Sequence, residues 1–190
     1  MDGARIIKML KVIIFLLAIM FTASYGHQPQ FIMDRHPTRD NPVVVKQATI
    51  SKAFYAELKD TAAYFQVVLE DSLTLFMNLL VPDIDGFRDY RFSADLLDSA
   101  WTLVYRLDSG QTAWKPFYEK YGKDNYRMGP ETRVPLKAGT YYIRVFNASG
   151  AGRYALATGE KESFPLLEIW RTIRVMPKLK KQFFSKISNQ

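Results

Sequence analysis

The stretch RVPLKAGTYYIRVFNASGAGRYALATGEKESF, residues 133–164, decides the fold. From Tyr141 to Phe146, apolar side chains at every second position give the two-residue period of a half-buried strand. Residues 147–152 are rich in Gly, Ser and Asn, a composition typical of turns. The alternation then resumes from Gly152 to Thr158. The stretch therefore predicts two strands of an antiparallel hairpin.

Outward from this hairpin, the same alternation occurs in residues 49–58 and 63–69, each bounded by turn residues. The apolar run 73–81 has a composition that also suits a helix, but its length and its position favour a buried strand. Further strands are predicted at 91–97 and 101–107, with a short edge strand at 43–46. Seven or eight short strands predict an all-β fold, an antiparallel jelly-roll-like β-sandwich spanning residues 43–164.

The pattern L-x-A-G-T-Y-Y-I-R-V, a Gly-containing turn and G-x-Y-x-L-x-x-G together run from Leu136 to Gly159. This pattern resembles the last hairpin of the bacterial pre-peptidase C-terminal domain, a secreted jelly-roll β-sandwich. Residues 51–58 are similar to the opening strand of that family, and residues 64–69 to its second strand. Between residues 82 and 130 the match is poor. The resemblance implies an accessory or interaction module and supplies no catalytic group.

The N-terminus has the three parts of a secretory signal peptide: basic residues, an apolar run from Val12 to Phe21, and small residues before His27. The run is shorter than the roughly 20 residues of a spanning helix, although an uncleaved anchor is the alternative. We therefore assign residues 1–26 to a signal peptide and residues 27–42 to a flexible leader. The chain has no cysteine, so the core must hold the fold without disulfides.

The formal net charge of +7 is concentrated at the two ends of the chain. Residues 27–164 contain 17 basic and 17 acidic side chains, which argues against nucleic-acid binding. Residues 165–190 are predicted to form a basic, amphipathic helical tail that Pro177 ends or kinks. This tail either lies on anionic lipid or packs on the sandwich. The side chains expected to contact lipid are Trp170, Lys178, Lys180, Lys181, Phe183, Phe184 and Lys186.

Candidate binding residues fall in two places in the body. Asp83, Asp85 and Asp89 surround a glycine turn and suggest calcium, although Ala94 stands where an EF-hand needs its bidentate acid. No other cofactor is expected. Residues 111–129 form a long insertion whose rings could stack on a sugar. The side chains predicted to bind a ligand there are Trp114, Tyr118, Glu119, Tyr121 and Tyr126.

Both histidines, His27 and His36, lie in the leader, so the body lacks the usual general base and zinc ligands. We therefore do not expect an enzyme. The leading hypothesis is an exported, noncatalytic interaction module at the cell envelope, in the extracellular space or at the outer face of the cytoplasmic membrane. Its tail would contact anionic lipid, and a protein or glycan would be a further partner. The alternative is a carbohydrate-binding or accessory domain of a glycan-acting enzyme system.

Overall fold

The computed structural model describes residues 27–120, 122–163 and 165–186, and the signal-peptide prediction for residues 1–26 lies outside this part. The described residues form two facing β-sheets with one helix on the outside. The elements are β1 (Gln28–Phe31), β2 (Val43–Val45), β3 (Lys52–Leu58), β4 (Ala63–Leu69), β5 (Leu73–Pro82), β6 (Ser93–Leu97), β7 (Leu103–Leu107), β8 (Lys115–Glu119), β9 (Asp124–Leu136), β10 (Gly139–Phe146), β11 (Gly152–Thr158) and α1 (Leu166–Phe183).

Sheet A has the order β1-β3-β11-β5-β9-β8, and sheet B has the order β2-β4-β10-β6-β7. The prediction of a β-sandwich is confirmed, but the sheets are mixed rather than fully antiparallel. The edge strands β1 and β2 pair in parallel with β3 and β4. Parallel neighbours need a long connection, and here each connection passes through a strand of the opposite sheet. Residues 27–42, predicted to be a flexible leader, therefore contain a strand of sheet A.

The predicted hairpin at residues 133–164 is wrong in its pairing. Both strands exist, but β10 lies in sheet B between β4 and β6, and β11 lies in sheet A between β3 and β5. The connector after β10 carries the chain from one sheet to the other, and Gly150 and Gly152 adopt positive φ there. A hairpin and a crossing between sheets bury the same alternate side chains, so the two-residue period fits both.

The main core lies between the sheets and is built from the inward side chains of both. Phe65 and Ile143 from sheet B and Leu79 and Leu156 from sheet A are all fully buried there. The prediction that residues 73–81 form a buried strand is confirmed by β5. The predicted strands at 91–97 and 101–107 are also confirmed, as the antiparallel pair β6 and β7.

The insertion at residues 111–129 is not an irregular loop. Its first part forms β8, which pairs with β9 as a hairpin at the edge of sheet A. Strand β9 then continues to Leu136 and pairs with β5 along most of its length. Phe117, Tyr118 and Tyr126 of this segment are therefore held on a sheet.

The outer face of sheet A carries a second apolar cluster, which α1 covers. Leu179 and Phe183 of the helix are buried against Tyr126 and Ala155 of the sheet. Pro177 was predicted to end or to kink the helix, and the first alternative is wrong because the helix continues through it to Phe183. Every described strand, the described helix and both apolar clusters lie at or after residue 28. In the described part of the chain, no helix is long and apolar enough to cross a bilayer.

Candidate functional site

The N-terminal half of α1 presents an apolar surface to solvent, which we call the helix face. It consists of Leu166, Leu167, Trp170 and Ile173, whose exposed fractions are 64%, 77%, 65% and 58%. Leu166, Trp170 and Ile173 follow the spacing of one side of a helix. Arg171 and Arg174 are exposed on the same turns. The surface is therefore apolar with a basic margin.

The C-terminal half of α1 is turned toward the protein. Phe183 is fully buried, with its ring centroid 5.0 Å from that of Tyr55. Phe184 packs against Tyr126 at 5.3 Å. Both phenylalanines were predicted to contact lipid, and this is wrong for Phe183 because the ring fills the space above sheet A.

The lysines predicted to contact lipid are mostly paired with acidic groups of the sandwich. Lys178 donates to Asp34 at 2.9 Å, and Lys180 donates to Asp124 at 2.5 Å. Lys186 lies 3.8 Å from Asp85. Trp170 and Lys181 are the two predicted residues that stay exposed without a described ion pair. The solvent-facing apolar part of the tail thus lies in its N-terminal half.

A groove of about 630 Å³ lies on the outer face of sheet A. Its apolar lining includes Tyr55, Phe76 and Leu80 from the central strands. Phe117 and Tyr118 of β8 stand at its side and are 38% and 53% exposed. Acidic side chains also line the groove, namely Glu119, Glu131, Glu160 and Glu162.

Of the five residues predicted to bind a ligand, the structure brings Tyr118, Glu119 and Tyr126 to this groove. Tyr126 is buried, and its hydroxyl lies 3.2 Å from that of Tyr55. Burial raises the pKa of Tyr126 well above its usual value and raises the pKa of Tyr55 to about 12. Both phenols are therefore neutral hydrogen-bonding groups.

Trp114 and Tyr121, the other two predicted residues, are not among the described groove residues. Trp114 packs against the main core, and its Nε1 donates to the carbonyl oxygen of Ser109 at 3.4 Å. Its ring lies against Gly129, where a Cβ would be 2.5 Å from the indole carbons. Tyr121 lies outside the described residues.

His27 is a groove residue that sequence reasoning missed. Its Nδ1 lies 2.6 Å from Oγ of Ser51, and both residues line the groove. Burial lowers the pKa of His27, and the nearby charge of Glu119 opposes that shift. The ring is therefore a neutral polar group at the groove. Nothing in the sequence indicated that His27 lies at the groove, because the residue falls in the segment predicted to be a flexible leader.

Two of the three predicted calcium ligands, Asp83 and Asp85, are paired with basic side chains. Asp83 lies 3.2 Å from Nε of Arg127, and Asp85 lies 2.7 Å from Arg88. Asp89 is exposed. Within residues 27–120, 122–163 and 165–186, no group of three or more histidine or acidic side chains is placed to hold a metal ion. The structure does not gather these three carboxylates into a cation site.

Comparison with known proteins finds similarity only at the level of structure, since no protein-family model and no curated protein matches the chain. The chain is similar to the pre-peptidase C-terminal domain of a collagenase from Bacillus anthracis, with a TM-score of 0.39 and 11% identity. That similarity covers 70% of this chain and 97% of the collagenase domain. A β-glucosidase from Paenibacillus barengoltzii is similar with a TM-score of 0.30 and 7% identity, covering 70% of this chain and 13% of the glucosidase. The first structure belongs to the family that residues 136–159 resemble.

Proposed function

We propose that this protein is an exported, noncatalytic β-sandwich interaction module that rests on an anionic membrane surface at the cell envelope. The helix face of α1 would make the contact. The observation that carries the proposal is the exposure of Leu166, Leu167, Trp170 and Ile173 on one helix that is fixed to the sandwich by its other side. The basic and apolar N-terminal segment, residues 1–26, supports export.

The energetic argument starts from the cost of leaving these side chains in water. Full burial of one large apolar side chain contributes about 1.5–3 kcal/mol, so partial insertion of four is enough for reversible attachment. Tryptophan suits the headgroup region because its ring is apolar and its N–H can find a polar partner. Arg171 and Arg174 would each add about 1 kcal/mol beside anionic lipid.

The contacts that attach α1 to the sandwich support a fixed orientation of the protein on the membrane surface. Leu179 and Phe183 anchor the far end of the helix, and Nη1 of Arg153 donates to the carbonyl oxygens of Phe183 and Ser185. The helix face therefore keeps its direction relative to the sheets. A membrane contact there would hold the sandwich with the rest of its surface free for a partner.

Replacing two residues of the helix face by serine should weaken vesicle binding strongly. In the chain from His27 onward, which contains every described element, Leu167→Ser with Trp170→Ser should weaken binding to phosphatidylglycerol vesicles at least tenfold. The measurement is co-sedimentation at low and high salt, with phosphatidylcholine vesicles for comparison. The loss follows from removing the apolar area that would insert.

The matched control is Leu103→Ser with Tyr105→Ser, which removes exposed apolar area from β7 without changing the net charge. It should bind as the parent chain does, within about twofold. Equal losses in the two double variants, or no sedimentation of the parent chain, would refute membrane contact through α1.

A second candidate function is glycan binding in the groove of sheet A. The specific observation is that the exposed rings of Phe117 and Tyr118 stand beside Glu119 and Glu131. Aromatic faces stack on sugars, and carboxylates accept hydrogen bonds from their hydroxyls. With cellohexaose and chitohexaose as probes, calorimetry should give binding that Tyr118→Ala weakens about tenfold and that Tyr105→Ala leaves unchanged. Absence of binding to both probes would remove this candidate.

A further inference from the structure

A second cavity, of about 540 Å³, lies between α1 and the edge strands β1 and β2, and we call it the cationic cleft. Its charged lining is mostly basic. The basic side chains are Arg35, Lys46, Lys52, Arg171, Arg174 and Lys178. Two acidic side chains, Asp34 and Glu168, also line it.

The two acidic groups are already engaged by two of the basic ones. Lys178 lies 2.9 Å from Asp34, and Arg171 lies 3.6 Å from Glu168. Within the described part of the chain, the other four basic groups have no carboxylate at ion-pair distance. They are Arg35, Lys46, Lys52 and Arg174. The cleft therefore carries an uncompensated positive charge.

Lys52 carries part of this positive charge in a buried position, since the residue is only 6% exposed, and burying a charge is energetically unfavourable. Its Nζ donates to the carbonyl oxygens of Lys46 and Gln47, which satisfies part of its hydrogen-bonding capacity but none of its charge. Burial lowers the pKa of Lys52, and the charge of Glu168 opposes that shift. Glu168 compensates the buried charge of Lys52 only in part because it is not at ion-pair distance, so an anion held in the cleft would offset the remaining cost.

We propose that the cationic cleft is a binding site for a compact, multiply charged phosphate group, held by Lys46, Lys52 and Arg174 with Arg35 at the margin. Four uncompensated basic groups match an anion of more than one charge better than a single carboxylate. The guanidinium of Arg174 is suited to bidentate contact with phosphate oxygens. The volume lies within the range of small-molecule sites, which is about 300–1,000 Å³.

The phosphate can belong to a soluble compound or to a lipid headgroup, since both present the same oxygens. Arg171 and Arg174 lie on the turns of α1 that also carry the helix face. The cleft is nevertheless separate from the helix face, because none of Leu166, Leu167, Trp170 and Ile173 lines it. The proposal therefore stands independently of membrane contact through those side chains.

Calorimetric titration of the chain from His27 onward with pyrophosphate tests the site directly. We expect saturable binding of one anion per chain, weakened at least tenfold by Lys46→Ala with Arg174→Ala. Both side chains are exposed, so the variant should fold, which circular dichroism and thermal melting would verify. The matched control is Lys115→Ala with Lys137→Ala, which removes the same charge from exposed positions outside the cleft and should change the affinity less than twofold.

A vesicle arm distinguishes the two sources of phosphate. In this arm Arg174 is left unchanged because it would also contact anionic lipid beside the helix face. If phosphatidic acid vesicles bind the parent chain, and Lys46→Ala alone weakens that binding more than Lys115→Ala alone, while pyrophosphate does not bind, the site takes a lipid headgroup. If pyrophosphate binds with the expected dependence on the cleft pair, the site takes soluble phosphates. The proposal is overturned if neither probe binds, or if the cleft and control pairs lose affinity equally.

Discussion

Replacing Gly159 by alanine is expected to destabilise the sandwich by about 3 kcal/mol. Gly159 has φ +70°, a left-handed conformation that costs a residue with a Cβ about 1–2 kcal/mol. A Cβ there would also collide with the backbone carbonyl oxygen of Ile50 and lie 2.7 Å from that of Ala48. Backbone cannot move aside as a flexible side chain does, and such overpacking adds about 1–3 kcal/mol.

The hydrogen bonds around Gly159 explain why the chain cannot easily move to relieve this clash. Its N–H donates to the carbonyl oxygen of Phe76 at 3.2 Å, at the end of β11. The next residues continue the attachment, since the N–H of Lys161 donates to the carbonyl oxygen of Thr49 at 2.8 Å. Moving the chain away from Ile50 would break these hydrogen bonds, so the clash and the bonding network cannot both be accommodated.

Urea unfolding measures the effect, and Gly110→Ala is the matched control. A Cβ at Gly110 would meet only a side-chain oxygen of Asp108, at 3.4 Å, and its φ is not left-handed. The control should change the free energy of unfolding by no more than about 0.5 kcal/mol. A loss below 1 kcal/mol for Gly159→Ala would show that the segment from Ala48 to Ile50 can shift, contrary to our reasoning.

The positions of most strands followed from sequence because alternation is a local property. β3, β4, β10 and β11 all show it, and each lies close to where the pattern predicted. β5 was predicted instead from the length and position of its apolar run. The partners of these strands did not follow from sequence. β10 and β11 are consecutive and joined by a short turn, yet they belong to opposite sheets. Alternation could not predict this, because a hairpin and a crossing between sheets place the same side chains in the core.

The candidate sites were predictable to a smaller extent because they depend on contacts between distant segments. His27 and Ser51 are separated by 24 positions, and Lys180 and Asp124 by 56. The tail was predicted to be amphipathic, but its helix has apolar side chains on two sides. Periodicity alone could not decide that Phe183 is buried and Trp170 exposed.

Replacing Phe183 by alanine should release α1 from the sandwich. Phe183 is fully buried, and its ring lies 5.0 Å from Tyr55 and 6.5 Å from Tyr126. Truncating a buried phenylalanine costs about 3–5 kcal/mol. The remaining attachments include Leu179 and the pair Lys178–Asp34, and an exposed ion pair contributes only about 0–1 kcal/mol. The helix also keeps the hydrogen bonds of Arg153, the pair Lys180–Asp124 and the contact of Phe184 with Tyr126, but Phe183 is the largest fully buried side chain that attaches it.

Hydrogen exchange separates release of the helix from unfolding of the sheets. In Phe183→Ala, amides of α1 should lose protection and trypsin should cut after Arg171 and Arg174, while β5 and β10 stay protected because the main core is untouched. Ile173→Ala is the control on the same helix, since Ile173 is 58% exposed and its truncation leaves the buried contacts in place. Retained protection of α1 in Phe183→Ala would mean that the aromatic cluster is not what fixes the helix.

Phe183→Ala also distinguishes the role of the buried side of α1 from that of its exposed side. A released helix keeps Leu166, Leu167, Trp170 and Ile173, so Phe183→Ala should still bind phosphatidylglycerol vesicles if those side chains make the contact. Leu167→Ser with Trp170→Ser should do the reverse, retaining protection of α1 while losing the vesicles. If Phe183→Ala instead abolishes vesicle binding, lipid contact depends on the docked orientation of the helix as well as on its apolar surface.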